Sequence, residues 1–139
     1  IYVGGGNTKS MLAVWKEWEL NEILLNAYEK GIVMSGVSAG AICWFDKGIT
    51  DSYKEELAII DCLGIVEGIA CPHFDEEKER EPYVNDVINR EIIKSCICIE
   101  GNCAVHVKNN IEYSSIDFGN GKKCFRVYKE NNTLKKEIL

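Results

Sequence analysis

The chain has 139 residues, 46% of them hydrophobic and 27% charged, which suits one domain with its own core and excludes a disordered chain. Its net charge of −6 argues against nucleic acid or an anionic membrane as the main partner. The sequence shows neither a signal-peptide pattern nor an apolar run long enough to span a bilayer, and its seven cysteines fall in no regular framework. They read as reduced, buried thiols of a cytoplasmic protein.

Ile1–Val3 reads as a strand that ends at Gly4-Gly5-Gly6-Asn7. A chain that opens in mid-sheet is expected to lack N-terminal strands. Asn7 or Thr8 can cap a helix running through Met11, Leu12 and Trp15. Leu20, Ile23, Leu24, Ala27 and Tyr28 recur at helical spacing, and Gly31 ends that second helix. Ile32–Ser35 reads as an apolar strand, 36–40 as a sharp turn, and Ala39–Phe45 as a helix. The polar stretch 46–56 is expected as a loop, and the apolar run 59–71 leads into Pro72-His73. The acidic cluster at 75–81 reads as a solvated loop and helix start. Val84, Val87, Ile88 and Ile92 mark another amphipathic helix, and Ser95–Ile99 a fully apolar strand. Three alternating stretches follow, split by Asn109-Asn110 and Gly119-Asn120-Gly121, which signal hairpin turns. The expected fold is a single α/β domain over 1–139. It is a three-layer α/β/α arrangement with a mostly parallel sheet, a nucleophile elbow and a C-terminal antiparallel meander.

Gly36-Val37-Ser38-Ala39-Gly40 carries the chemistry. A serine hydroxyl needs a base to become a nucleophile. A tight strand-to-helix turn lifts it clear of the sheet, provided the residues two before and two after are small. Ser38 is therefore the expected nucleophile, and the N–H of Ala39 an expected oxyanion donor. The bland alternative is a tight turn that happens to contain a serine. Only two histidines exist, His73 and His106. His106 lies within an alternating strand, whereas His73 follows a strand end, where open α/β sheets build their sites. His73 is the expected base. Glu100, just after the strand Ser95–Ile99, is the leading third member, with Asp51 and Asp75 as rivals. The Gly4-Gly5-Gly6 loop can supply the second oxyanion donor; no Gly-Lys-Ser/Thr follows it, so it is no phosphate loop. Cys96, Cys98 and Cys103 lack the spacing of zinc pairs and read as core, so no metal and no cofactor are expected.

Val3-Gly4-Gly5-Gly6-Asn7-Thr8, Gly36-Val37-Ser38-Ala39-Gly40-Ala41, Cys71-Pro72-His73-Phe74 and Glu100-Gly101-Asn102 occur in that order. Together they resemble the peptidase E (aspartyl dipeptidase) family of serine peptidases, whose fold is similar to class I glutamine amidotransferases. The resemblance implies a Ser38–His73–Glu100 triad, with Asp51 as the alternative acid, and oxyanion donors at Gly6 and Ala39. It implies metal-free hydrolysis of dipeptides with N-terminal aspartate. Such a substrate needs a cation, for which Arg80, Lys47 and Lys78 are the candidates; Asn7 and Arg80 are the expected substrate contacts. The partner is then a short peptide, with no nucleic acid or membrane and a homodimer left open. Competing readings are another acyl hydrolase of amidase or esterase type and a binding domain without catalysis on the same fold.

Overall fold

A computed structural model describes residues 1–54 and 56–139. The chain is a mixed α/β structure. Two short strands and two helices come first: β1 (Tyr2–Val3), α1 (Thr8–Glu17), α2 (Leu20–Glu29) and β2 (Ser35–Gly36). Then follow α3 (Ala39–Ile42), β3 (Phe45–Tyr53), β4 (Glu56–Asp61), β5 (Val66–Cys71), α4 (Arg80–Asn89) and β6 (Ser95–Ile99). The chain ends in β7 (Cys103–Lys108), β8 (Glu112–Asp117), β9 (Cys124–Glu130) and β10 (Thr133–Ile138).

Six strands form one sheet in the order β10-β9-β6-β5-β3-β4. Only β3–β5 and β5–β6 are parallel; the three outer pairings are antiparallel. The sheet is therefore mixed, not mostly parallel. The difference lies in 46–56. Its polar letters suggest a loop, but β3 runs through 46–53 between β4 and β5, and residue 55 lies outside the described residues. Gly48, Ile49 and Thr50 are buried, while Asp46, Lys47 and Asp51 face outward. Strand pairing on both sides satisfies the backbone, so hydrophobicity on every residue is not required. The helix expected over 39–45 stops at Ile42 for the same reason, since Phe45 already pairs with Val66.

The apolar strand β6 is buried on both faces, as its unbroken hydrophobicity suggests. Cys96 and Cys98 point into a core shared with Val84, Val87 and Ile88 of α4. Ile97 and Ile99 point the other way, to Ile42, Phe45 and Ala70, with Val105, Val107 and Tyr113 of the β7–β8 hairpin packed on them. A third cluster joins Leu24, Cys43, Trp44 and Ile65 to the inner faces of α1 and α2. The C-terminal strands do not form one meander. β7 and β8 pair only with each other, whereas β9 pairs with β6 and β10. Left-handed Asn109 and Asn110 make the β7–β8 turn, and Asn131 and Asn132 make the β9–β10 turn.

The start of the chain is built around its caps. Asn7 Oδ1 accepts the Ser10 N–H at 2.9 Å, which caps α1. Gly31, at φ +82°, ends α2: Ile32 N–H bonds Ala27 O and Gly31 N–H bonds Tyr28 O. Residues 32–34 follow this cap, so β2 is reduced to Ser35–Gly36, paired in parallel with β1 alone. Among the described residues no helix is long and apolar enough to cross a membrane.

Candidate active site

Ser38 sits where β2 turns into α3, at φ +55° and ψ −119°. A non-glycine residue there is strained, and such strain persists only where the surroundings impose it. Here they do. A Cβ on Gly36 would come within 2.5 Å of Gly40 C and 2.6 Å of Val3 O, and one on Gly40 would overlap the Val3 carbonyl. Both positions require glycine because β1, the elbow and α3 cross with no space between backbones. Val37 N–H bonds Val3 O at 3.1 Å and locks the crossing. The glycine loop after β1 passes over the serine: a Cβ on Gly5 would lie 3.4 Å from Ser38 Cβ and 3.9 Å from its Oγ. Gly6 follows at φ +148°, a conformation that favours glycine. Ala39 N–H is the first of α3 and has no carbonyl of its own helix to bond.

His73 comes from the other direction, just past β5. It too is left-handed, at φ +53°. The turn closes on itself, with the N–H groups of Glu76 and Glu77 both bonding His73 O at 3.1 Å. Phe74 is buried and its N–H bonds Ile99 O at 3.0 Å, which ties the turn to the end of β6. The imidazole bridges two partners. Nε2 is 2.9 Å from Ser38 Oγ, and Nδ1 is 2.7 Å from Glu76 Oε2. A carboxylate only accepts, so Nδ1 carries the proton toward Glu76 and Nε2 is left to accept the Ser38 hydroxyl. That is the geometry of a hydroxyl with a base and an oriented imidazole.

A model of the family described as "Peptidase family S51" matches residues 1–112. The chain belongs to peptidase family S51. It is also 42% identical over 127 residues to an uncharacterized peptidase, YgaJ, of Bacillus subtilis (strain 168). That match covers 91% of this chain and 55% of the relative, so the chain spans about half the length of the curated relative it matches.

Within this S51 chain, several expected site residues lie elsewhere. Glu100 is not paired with His73. Its Oε2 accepts the Lys123 N–H at 3.0 Å, because the end of β6 runs beside the start of β9 and the carboxylate turns to that backbone. Asp75 also turns away, accepting the Gly101 N–H at 2.7 Å and pairing with Lys122. Asp51 is exposed on β3. The acid on the imidazole, Glu76, stands three residues after His73 in the acidic cluster read as solvated. The readable signal was the His-x-x-Glu spacing, which a closed turn brings onto one side.

The expected substrate contacts also move. Asn7 spends its side chain on the α1 cap. Arg80 has only 3% of its side chain exposed; Nε donates to Glu77 at 2.7 Å and a terminal nitrogen to Ile49 O at 3.1 Å. It fastens α4 to β3. Lys47 pairs with Asp61, its neighbour across β3–β4, and Lys78 is exposed.

A cavity of about 880 Å³ opens beside Ser38 and His73. Met34, Trp44, Val66, Ile99 and Ile116 are among its apolar walls, and His106 and Lys108 reach it from β7. No cysteine competes as nucleophile at the elbow. Burial pushes the thiols of Cys43, Cys62, Cys71 and Cys124 up to about 12, far from the thiolate form. Among the described residues no three His, Cys, Asp or Glu side chains converge to hold a metal ion.

Proposed function

We propose that this chain carries the catalytic machinery of a serine peptidase acting on short peptides, with Ser38 as nucleophile, His73 as base and Glu76 as the acid that orients it. The observation that carries the reading is the continuous chain Ser38 Oγ–His73 Nε2 at 2.9 Å and His73 Nδ1–Glu76 Oε2 at 2.7 Å, on a strained elbow. Ser38 Oγ attacks the scissile carbonyl carbon as its proton passes to His73 Nε2. The tetrahedral intermediate collapses, the imidazolium gives that proton to the leaving amine, and an acyl-serine remains. Water then enters with His73 again as base and releases the acid product. Glu76 keeps Nδ1 protonated and stabilises the imidazolium while it lasts. The N–H of Ala39 and that of Gly6 are the proposed oxyanion donors.

The preference for N-terminal aspartate implied by the family resemblance draws no support from Arg80 or Lys47, whose charges are spent on Glu77 and Asp61. The proposal therefore rests at short peptides. A serine-directed phosphonate probe tests it: label on the wild type and none on Ser38→Ala is the expected result. Equal labelling of the two would remove Ser38 as nucleophile. A dipeptide panel varied at the N-terminal residue reads the specificity; a dominant preference for aspartate would place a cation at the site that Arg80 and Lys47 do not provide.

A further inference from the structure

The Glu100-Gly101-Asn102 segment stood out in the sequence, yet Glu100 does not touch His73. Its place in the structure points to another use. Three segments meet beside the His73 turn: the turn 73–77 itself, the loop 100–102 after β6, and residues 122–123 before β9. Asp75 joins all three. Its Oδ1 accepts the Gly101 N–H at 2.7 Å, and its Oδ2 pairs with Lys122. Glu100 closes the far side by accepting the Lys123 N–H, while Glu100 N–H reaches Lys123 O at 3.4 Å. Phe74 N–H on Ile99 O seals the near side.

The consequence falls on Glu76. Its carboxylate occupies the space where a side chain at Gly101 would begin. A Cβ there would come within 2.5 Å of Glu76 Cδ and 3.0 Å of Cγ. A methyl at 101 would push the Glu76 carboxylate, the free end of a flexible side chain, from the place where it reaches Nδ1 of His73. The side chain of Glu76 is about half exposed, so burial does not hold it in place. A freely turning carboxylate at that exposure would lose side-chain entropy on docking; a wall of backbone on one side removes many of its alternatives.

We infer that Gly101 and Asp75 are positioning residues of this site: Asp75, charged and paired with Lys122, clamps the Gly101 backbone against Glu76, and the space left by the missing Cβ sets Glu76 on His73. The clamp rests on the Ser38–His73–Glu76 reading above, and it assigns the glycine and not the glutamate of the Glu-Gly-Asn segment to that site. Burial works against the charge on Asp75, but the Lys122 hydrogen bond and the Gly101 N–H outweigh it and hold its carboxyl below the usual carboxylate range. The clamp is therefore charged at neutral pH.

The experiment reads the imidazole directly and the turnover separately. In the wild type, the proton on His73 Nδ1 should give a far-downfield NMR resonance, assigned by its loss in His73→Asn. Gly101→Ala should abolish or shift it. A misplacement near 1 Å costs about 100-fold in rate, so kcat on the best peptide should fall about 100-fold while KM stays within about threefold. Asp75→Ala should fall about tenfold by the same argument. Asp75→Asn, which still offers Gly101 an acceptor, should recover part of both signals. A folded Gly101→Ala that keeps both the resonance and the kcat overturns the inference. Should Gly101→Ala fail to fold, Asp75→Ala decides by the same two readouts, and wild-type values there overturn it. If the wild type turns over no peptide and Ser38→Ala takes the probe equally, the peptidase reading falls; the resonance in Gly101→Ala and Asp75→Ala then decides the clamp alone.

Discussion

At the elbow after β2 the backbone is shaped by side chains that are missing, whereas at the turn after β5 it is shaped by hydrogen bonds. Ser38 and His73 share a left-handed φ, +55° and +53°. At Ser38 the strain is imposed by close-crossing backbones that allow only Gly36 and Gly40. At His73 it is held by two N–H groups on its carbonyl, by Phe74 on Ile99, and by Asp75 on Gly101. The two turns should therefore break differently. Adding atoms at Gly36 or Gly40 damages the first, whereas the second is damaged by removing polar partners and, at one point only, by an added methyl on Gly101 against Glu76. The proposed nucleophile rests on a steric device that is indifferent to pH, while the turn of its proposed base includes a charged partner, Asp75.

The largest effect that tests this pairing is loss of either reacting group. Ser38→Ala or His73→Ala should lower kcat by roughly 10⁶, with the fold retained by circular dichroism. Turnover near wild type in either would dissolve the comparison, since the turns would then meet for no catalytic reason. Next comes the acid. Glu76→Gln should lower kcat by about 10³–10⁴, and Glu100→Gln by at least about tenfold less, because Glu100 bonds Lys123 and not His73. The reverse order in steady-state kinetics would return the role to Glu100.

The steric half is read by stability. Gly40→Ala places a methyl on the Val3 carbonyl, inside the β1–elbow crossing. It should cost about 1–3 kcal/mol or more, seen as a lowered Tm, whereas Gly4→Ala, with nothing within 4 Å, should leave Tm nearly unchanged. Arg80→Met leaves Ile49 O and Glu77 without their donor. That should cost about 1–3 kcal/mol in urea unfolding without changing which peptides are preferred. A changed preference at unaltered stability would restore Arg80 to the substrate.

The smallest effect separates the two turns by pH. The carboxyl of Asp75 lies lower in the folded chain than in the unfolded one. Its contribution is thus fully present above the ordinary carboxylate range and is lost as pH falls through the folded value. Acid unfolding of Asp75→Asn should show a shallower decline of stability in that window than the wild type. Gly40→Ala should shift the whole curve down in parallel. Parallel curves for both variants would remove the charge from the second turn.

Ser38 and His73 could be singled out from the sequence because each stands in a local pattern with few solutions: glycines two residues either side of a serine, and a histidine at the end of an apolar run. Helices α1, α2 and α4 and strand β6 were legible for the same reason, since periodicity and caps act within a few residues. The acid was not. Glu76, Asp75, Glu100 and Asp51 are all carboxylates near a turn, and which of them meets Nδ1 depends on how β6 and β9 stack beside β5. Strand β3 was missed on similar grounds, because its polar residues become a strand only through the neighbours that pair with them. Family membership follows from motifs that the chain carries in order. The sequence by itself thus determined helices α1, α2 and α4, strand β6, the elbow and the two groups placed to exchange a proton. Only the tertiary structure decided the sheet order and the carboxylate on His73, because both depend on contacts between segments far apart in the chain, and local propensity does not encode those.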